Sequence, residues 1–125
     1  MLTAGHTHLS VAKPQAFFAR LRVQQRQTDA LLAHFGAAPG AWVAAGDFNM
    51  PLHSTGYKRL AAAAESARSA GIGFGYTFPA ALPFTTIDHC FGGGGVRFVR
   101  CEPLAVRLSD HRPLEVDFLV PAAGR

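Results

Sequence analysis

The chain predicts a layered α/β fold, with two helices on one face of a mixed, mostly antiparallel sheet. Three observations carry that expectation. Apolar residues recur at helical spacing between Phe17 and Phe35, an alanine-rich segment follows from Tyr57, and after Gly75 the pattern breaks into short strand-like runs. At 125 residues the chain is about one domain long and can bury a sizeable core. With 49% hydrophobic and 16% charged residues, its composition is globular and excludes a disordered chain.

Taken in order, residues 2–9 read as a short strand ending in the polar run "GHTHLS". Pro14 suits the first position of a helix. Phe17, Leu21, Thr28, Leu31, Leu32 and Phe35 line one helical face, Phe18 widens the stripe, and Gly36 is a natural stop. "AAPGA" then reads as a turn, and "WVAAG" as a short buried strand leading into "AAGDFNMP". Ser54 or Thr55 can cap a second helix, "YKRLAAAAESARSAG", ending at Gly71. The runs "YTFP", "TTIDHCF", "VRFVRCEPLAV" and "PLEVDFLV" are strand candidates. "GGGG" at 92–95 reads as a hairpin turn between two of them. A phosphate cradle needs a following helix to supply its dipole, and none is expected there.

Ten Arg and two Lys give a net charge of +4, which suits an anionic partner such as a phosphate ester. The arginines are scattered, unlike the dense block of a nucleic-acid-binding arm. Cys90 and Cys101 match no zinc spacing and are expected to be reduced, half-buried strand residues. No stretch reaches the length of a membrane span, and the opening "MLTAGHTHL" lacks the basic leader and long apolar run of a signal peptide.

The polar residues of interest fall where strands end, in "HTHL" (6–9), "GDFN" (46–49), "TIDH" (86–89) and "SDHRPL" (109–114). In extended backbone, residues two apart share a side, so Asp47 and Asn49 are expected to point together while Phe48 enters the core. A carboxylate and a carboxamide so aimed can hold a hard cation or position a water. Asp and Asn are equally ordinary turn residues that satisfy nearby backbone amides. His111 is the side chain best placed to accept a proton near neutral pH, and a carboxylate such as Asp88 could orient it. A lone Asp-His pair is otherwise a common surface turn. His89 is expected to face away from Asp88 into the sheet packing, His34 to complement a helix end, and His53 to lie in a loop. Arg112 could steer a phosphate, though an exposed arginine needs no such role. His6 shares a side with His8, but the two lack further ligands at a zinc spacing.

Together, a strand ending in T-H-L, then G-D-F-N, I-D-H and S-D-H-R-P, in this order, resemble the endonuclease/exonuclease/phosphatase superfamily, the deoxyribonuclease I-like hydrolases. "GYTFP" and the helix "RQTDALLAHF" add smaller cues, and the resemblance runs from about residue 2 to residue 120. Position by position it implies that His8 binds the scissile phosphate. Asp47 and Asn49 would orient the attacking water and contact phosphate and metal. Asp88 would partner His111 as general base, and Asp110 would bind metal. The implied reaction is in-line attack of water on a phosphodiester, with Mg²⁺ or Mn²⁺ neutralising charge on phosphoryl oxygens and leaving group. His6 departs from the family's usual Asn.

The resemblance also implies that residues 1–125 are the C-terminal portion of the family's domain, half of a two-sheet α/β sandwich whose N-terminal half is absent. The family's principal metal ligand is a Glu in that half, and Glu65, Glu102 and Glu115 stand in no matching segment. The implied parent is a metal-dependent phosphodiester hydrolase acting first on nucleic acid, with phospholipid or phosphoinositide head groups as the second substrate class. The alternative is a non-catalytic half-domain that dimerises or pairs with a separate N-terminal half. A bare sheet face of about 400–500 Å² favours such self-association or pairing. A bacterial cytoplasmic location is expected, any leader belonging to the missing front half.

Overall fold

The computed structural model describes residues 14–122, with side chains from residue 17 onward. The strand expected at residues 2–9 lies outside the described residues. Helix α1 spans Pro14–Ala37, close to the expected bounds, with His34 in its last turn. Strand β1, Trp42–Asp47, follows the Gly40 turn. Helix α2, Thr55–Ala63, is capped by Ser54, whose side chain accepts from the Tyr57 backbone N–H at 3.2 Å.

The second helix stops eight residues short of the expected end at Gly71. Ala64 is already extended (φ −145°, ψ 158°), and Glu65–Ser66 forms a two-residue strand, β2. Those residues pair antiparallel with Gly92 and Phe91 of β3, Asp88–Gly93. Ladder bonds to a neighbouring strand replace the helical bonds that alanine propensity alone would favour. A short 3₁₀ turn, Ala67–Ala70, follows, capped by Ser66. "YTFP" contributes only an isolated bridge, Phe78 to Thr85.

All strand pairs among the described residues are antiparallel, and the strands divide into two sheets. One has the order β1-β3-β2. The other pairs β4, Arg97–Pro103, with β5, Leu114–Leu119. The glycine run is therefore a turn that passes from one sheet to the other, not a hairpin within one. Gly94 and Gly95 sit at φ +64° and +88°, where an L side chain is strained.

Strand alternation sends side chains into two cores. On the helix side, Phe35, Met50, Leu60 and Phe91 are buried, with Trp42, Ala44 and Phe48 packed against them. On the other side, Cys90 meets Ala67, Val96, Phe98 and Cys101, together with Val43 and Val116. Both cysteines are free, as expected, but buried rather than half-buried, because both enter the core between the two sheets, and burial pushes the Cys90 thiol up to about 12. The outward face of β4–β5 is charged, with Arg100 bonded to Glu102 and Glu115 at 2.9 and 3.2 Å.

The helical stripe of α1 is only half used. Thr28 and Phe35 are buried, whereas Phe17, Phe18 and Leu21 are exposed. Helix α2 is nine residues to the twenty-four of α1, so it covers the C-terminal part alone. The close approach there depends on Gly56, where a Cβ would meet Met50 Sδ at 2.8 Å and Thr28 Oγ1 at 3.1 Å. No helix among the described residues is long and apolar enough to cross a membrane.

Candidate active site

Asp47 and Asp88 are direct cross-strand partners at the end of the β1–β3 ladder. Such partners project on one face with their side chains close together. That face is the one carrying Ala45 and Cys90, opposite the helices. His111 reaches it from the loop before β5. Ser109 shapes that loop, its Oγ accepting from the His111 N–H at 3.0 Å and donating to the His111 carbonyl at 3.1 Å.

The result is a compact cluster. Ligand atoms of Asp47, Asp88 and His111 all lie within 4.8 Å of one another. His111 Nδ1 lies 2.8 Å from Asp88 Oδ2, and Nε2 lies 3.7 Å from Asp47 Oδ2. Desolvation on its own would lower the His111 pKa, but the Asp88 hydrogen bond and charge, then Asp47 and Asp110, outweigh it and raise it above 6.5. With the Nδ1 proton donated to Asp88, Nε2 keeps a lone pair facing Asp47 and can accept a proton from water. A cleft of about 340 Å³ opens beside the cluster, lined by Asp88, His111, Arg112, Ala45, Cys90 and Val116 among others.

Asn49 departs from the expected extended geometry. Its φ is +51°, and β1 has already ended at Asp47. Its N–H donates to Asp47 Oδ1 at 2.8 Å, the local turn bond open to an Asp-x-Asn sequence. Asp47 thus serves two ends at once: one oxygen closes the turn and the other faces His111. Gln24 of α1 anchors the same turn, donating to the Asn49 carbonyl at 3.1 Å.

Asp110 is exposed and lies outside the three-residue cluster, acting on His111 through its charge. Its carbonyl accepts from Ala80 N–H at 2.7 Å. His8, like His6, lies outside the described residues. His89 is buried on the helix side as expected, with Nε2 2.5 Å from the Met50 carbonyl and its ring 4.6 Å from Tyr57. Burial lowers its pKa despite that bond and the nearby aspartates. Arg112 is half-buried, and its Nε donates to the Ala80 carbonyl at 3.2 Å.

Two supporting residues were not singled out from sequence. Thr77 is fully buried, and its Oγ1 accepts from the Ile87 and Asp88 N–H groups at 3.3 and 3.4 Å. Phe78 sets its ring 4.9 Å from that of His111. Both belong to "GYTFP", whose interrupted strand pattern was the available signal.

Donor chemistry fits a hard divalent cation in kind, since the carboxylates of Asp47, Asp88 and neighbouring Asp110 offer oxygen ligands. Among the described residues the cluster brings together only two carboxylates and one imidazole, fewer than the six oxygens such an ion takes.

A family model described as "Endonuclease/Exonuclease/phosphatase family" matches residues 12–111. Among solved structures, the chain is similar to an endonuclease/exonuclease/phosphatase from Bacteroides vulgatus, with 26% identity and a TM-score of 0.56 over 66% of this chain and 37% of that one. It is similar in fold to a mannosyl-6-phosphatase from Bacteroides thetaiotaomicron, with 18% identity and a TM-score of 0.61 over 81% and 46% of the two chains. A conserved protein of unknown function from Enterococcus faecalis shares the fold at 19% identity, with a TM-score of 0.59 over 92% and 48%. The chain spans less than half the length of each of these structures. No curated protein matches it.

Proposed function

This chain belongs to the endonuclease/exonuclease/phosphatase family, and from that premise we propose that it carries the proton-transfer and phosphate-facing groups of a metal-dependent phosphodiester hydrolase. The observation that carries this reading is the meeting of Asp47, Asp88 and His111, drawn from three separate segments, within 4.8 Å. A water touching both His111 Nε2 and Asp47 Oδ2 loses its proton to the imidazole as its oxygen bonds to phosphorus. The P–O bond to the leaving alkoxide breaks on the opposite side. Asp88 stabilises the imidazolium that results, and Asn49 and His8 contact the phosphate.

Asp47 and Asp110, with the Asn49 carboxamide, are the residues that would hold Mg²⁺ or Mn²⁺. The ion, when bound, supplies charge neutralisation at the phosphoryl oxygens and leaving group. Nucleic acid is the first substrate class of this reading, and phospholipid head groups are the second.

A second reading has its own support: the chain spans under half of the solved domains it resembles, and apolar residues of β5, Phe118 and Leu119, remain exposed. On that reading the chain pairs with a separate N-terminal half that completes the metal site, or with a second copy.

The test is Mg²⁺-dependent hydrolysis of bis(p-nitrophenyl) phosphate by the full chain, alone and with an N-terminal half taken from a family member. Activity that rises on adding that half, and falls about 10²-fold or more in His111→Ala, is the expected result. Undiminished activity in His111→Ala would overturn the base assignment. Activity from the chain alone, unchanged by the added half, would overturn the pairing.

A further inference from the structure

We propose that the layer formed by α1 and α2 binds a single-stranded nucleic acid along its phosphodiester backbone, outside the Asp47–Asp88–His111 cluster. The basic residues are scattered in sequence, but the fold gathers their excess on this layer. Residues 14–64 hold Arg20, Arg22, Arg26, Lys58 and Arg59 against only Asp29 and Asp47, and Asp47 is committed to the site on the opposite face. From residue 65 to residue 122 five arginines meet six acidic residues, so that part is close to neutral. Positive charge therefore stands on one side of the described chain.

The cations form a track. Arg22 and Arg26, both exposed, are one helical turn apart and are neighbours on the surface of α1. Asp29 follows three residues on, and its Oδ1 accepts from Arg59 Nη2 of α2 at 2.8 Å, which draws Arg59 into line with them. A guanidinium has five N–H donors, so Arg59 keeps others for a phosphate. No acidic side chain among the described residues pairs with Arg22, Arg26 or Lys58, and residues 1–13 contain no Asp or Glu. Like charges a turn apart weaken a helix, and an anion held between them relieves that repulsion.

Beside the track, α1 and α2 flank a hollow of about 420 Å³. Gln24, Gln25, Thr28, Ser54, Thr55 and Arg59 line much of it, offering the amide, hydroxyl and guanidinium groups that bond phosphate and sugar. Gln24 also donates to the carbonyl of Asn49, whose N–H bonds Asp47, so the hollow borders the turn that holds the candidate site. Phe17 lies one turn before Leu21, another lining residue, and therefore on the same helix face. Phe17 and Phe18 are 57% and 66% exposed, with their rings edge to face at 5.7 Å.

Charge complementarity calls for an anionic partner, and the neighbouring groups select among anions. An acidic peptide would satisfy the arginines but leave the faces of Phe17 and Phe18 bare. A lipid surface would cover the rings but set hydrocarbon beside the amides and hydroxyls of the hollow, which costs them their hydrogen bonds to water. A single strand answers both, because its phosphates meet the track and its unpaired bases stack on the rings. The surface touches none of the three clustered residues, so it stands whether or not the chain hydrolyses the strand.

The test is fluorescence anisotropy of a labelled oligothymidylate with the full chain, in EDTA so that no ion draws DNA to the aspartates. Binding should weaken with salt at a log–log slope of about −3, from four cations at about −0.7 each. Arg22→Gln/Arg26→Gln keeps good helix formers and should halve that slope to about −1.4. Phe17→Ala should weaken binding about tenfold with the slope unchanged. Arg100→Gln, on the outward face of β4–β5, should alter neither. Absence of binding, a slope undiminished in the double variant, or an equal loss in Arg100→Gln overturns the proposal. So does tighter binding of polyglutamate or of phosphatidylglycerol vesicles than of the oligonucleotide. Hydrolysis of bis(p-nitrophenyl) phosphate, which is too small to span the track, reports on the phosphodiesterase reading separately. An inactive chain that binds the strand leaves this proposal standing, and an active chain that does not bind it leaves only that reading.

Discussion

His111 lies between two carboxylates of unequal reach, with Asp88 at 2.8 Å and Asp47 at 3.7 Å. Asp88→Asn keeps the shape of the closer contact but removes the charge that stabilises an imidazolium, so on the proposed hydrolase reading the rate of phosphodiester hydrolysis should fall about 10²-fold or more while the fold persists. Circular dichroism alongside the assay checks both halves of that expectation. The two buried-side histidines should titrate in opposite directions: His111 above 6.5 and His89 below it, read from their ring resonances across pH. If His111 is the base proposed above, its neutral form is required, so hydrolysis should climb with pH through a midpoint above 6.5. For stability the signs differ. His111 stabilises the fold fully below 6.5, and that contribution is lost as pH rises through its raised folded value. His89 is buried neutral, so protonating the unfolded chain costs stability as pH falls below 6.5. Sequence offered an Asp-His dipeptide at both 88–89 and 110–111. Strand alternation sends His89 toward the helices with Phe91, whereas His111, in a loop, is free to turn toward Asp88. For Asn49 the sequence left extension and a local turn both open, and the Asp47 bond, with its positive φ, decides for the turn.

At the scale of elements, the helix starts were legible and one helix end was not. Pro14 and Ser54 act through their own backbone geometry and side-chain bonds, which are local properties. Ser54→Ala should cost about 1 kcal/mol in chemical denaturation by freeing the Tyr57 N–H. The alanines of α2 would continue the helix to Gly71 by propensity alone, but an edge of β3 is available to Glu65 and Ser66, and no local pattern announces that. Leu60 is the fully buried contact of α2 with the helix-side core. Leu60→Ala should cost roughly 2–5 kcal/mol, with the lower end expected only if α2 collapses toward Met50 and Phe91. Urea unfolding midpoints of the two variants would rank the cap below the core contact; the reverse order would mean that α2 is held by its terminus.

For the whole molecule, the two sheets matter more than their strand count. β4–β5 presents charge on one face and Phe98, Cys101 and Val116 on the other, so it lies over the β1–β3 face and carries the His111 loop to the aspartates. If apolar β5 residues meet a complementary half, sedimentation velocity should show the isolated chain self-associating and an added N-terminal half shifting it to a discrete complex. A monodisperse monomer indifferent to that half would contradict the pairing. Composition, helix placement and the four polar motifs could be read from sequence because each depends on residue identity or on spacing along one segment. Proximity of Asp47, Asp88 and His111 depends instead on cross-strand register and on a loop returning from the second sheet. The division into two sheets and the early end of α2 are likewise tertiary decisions. Each is settled by which distant backbone or side chain is within reach, and covalent order does not encode that distance directly.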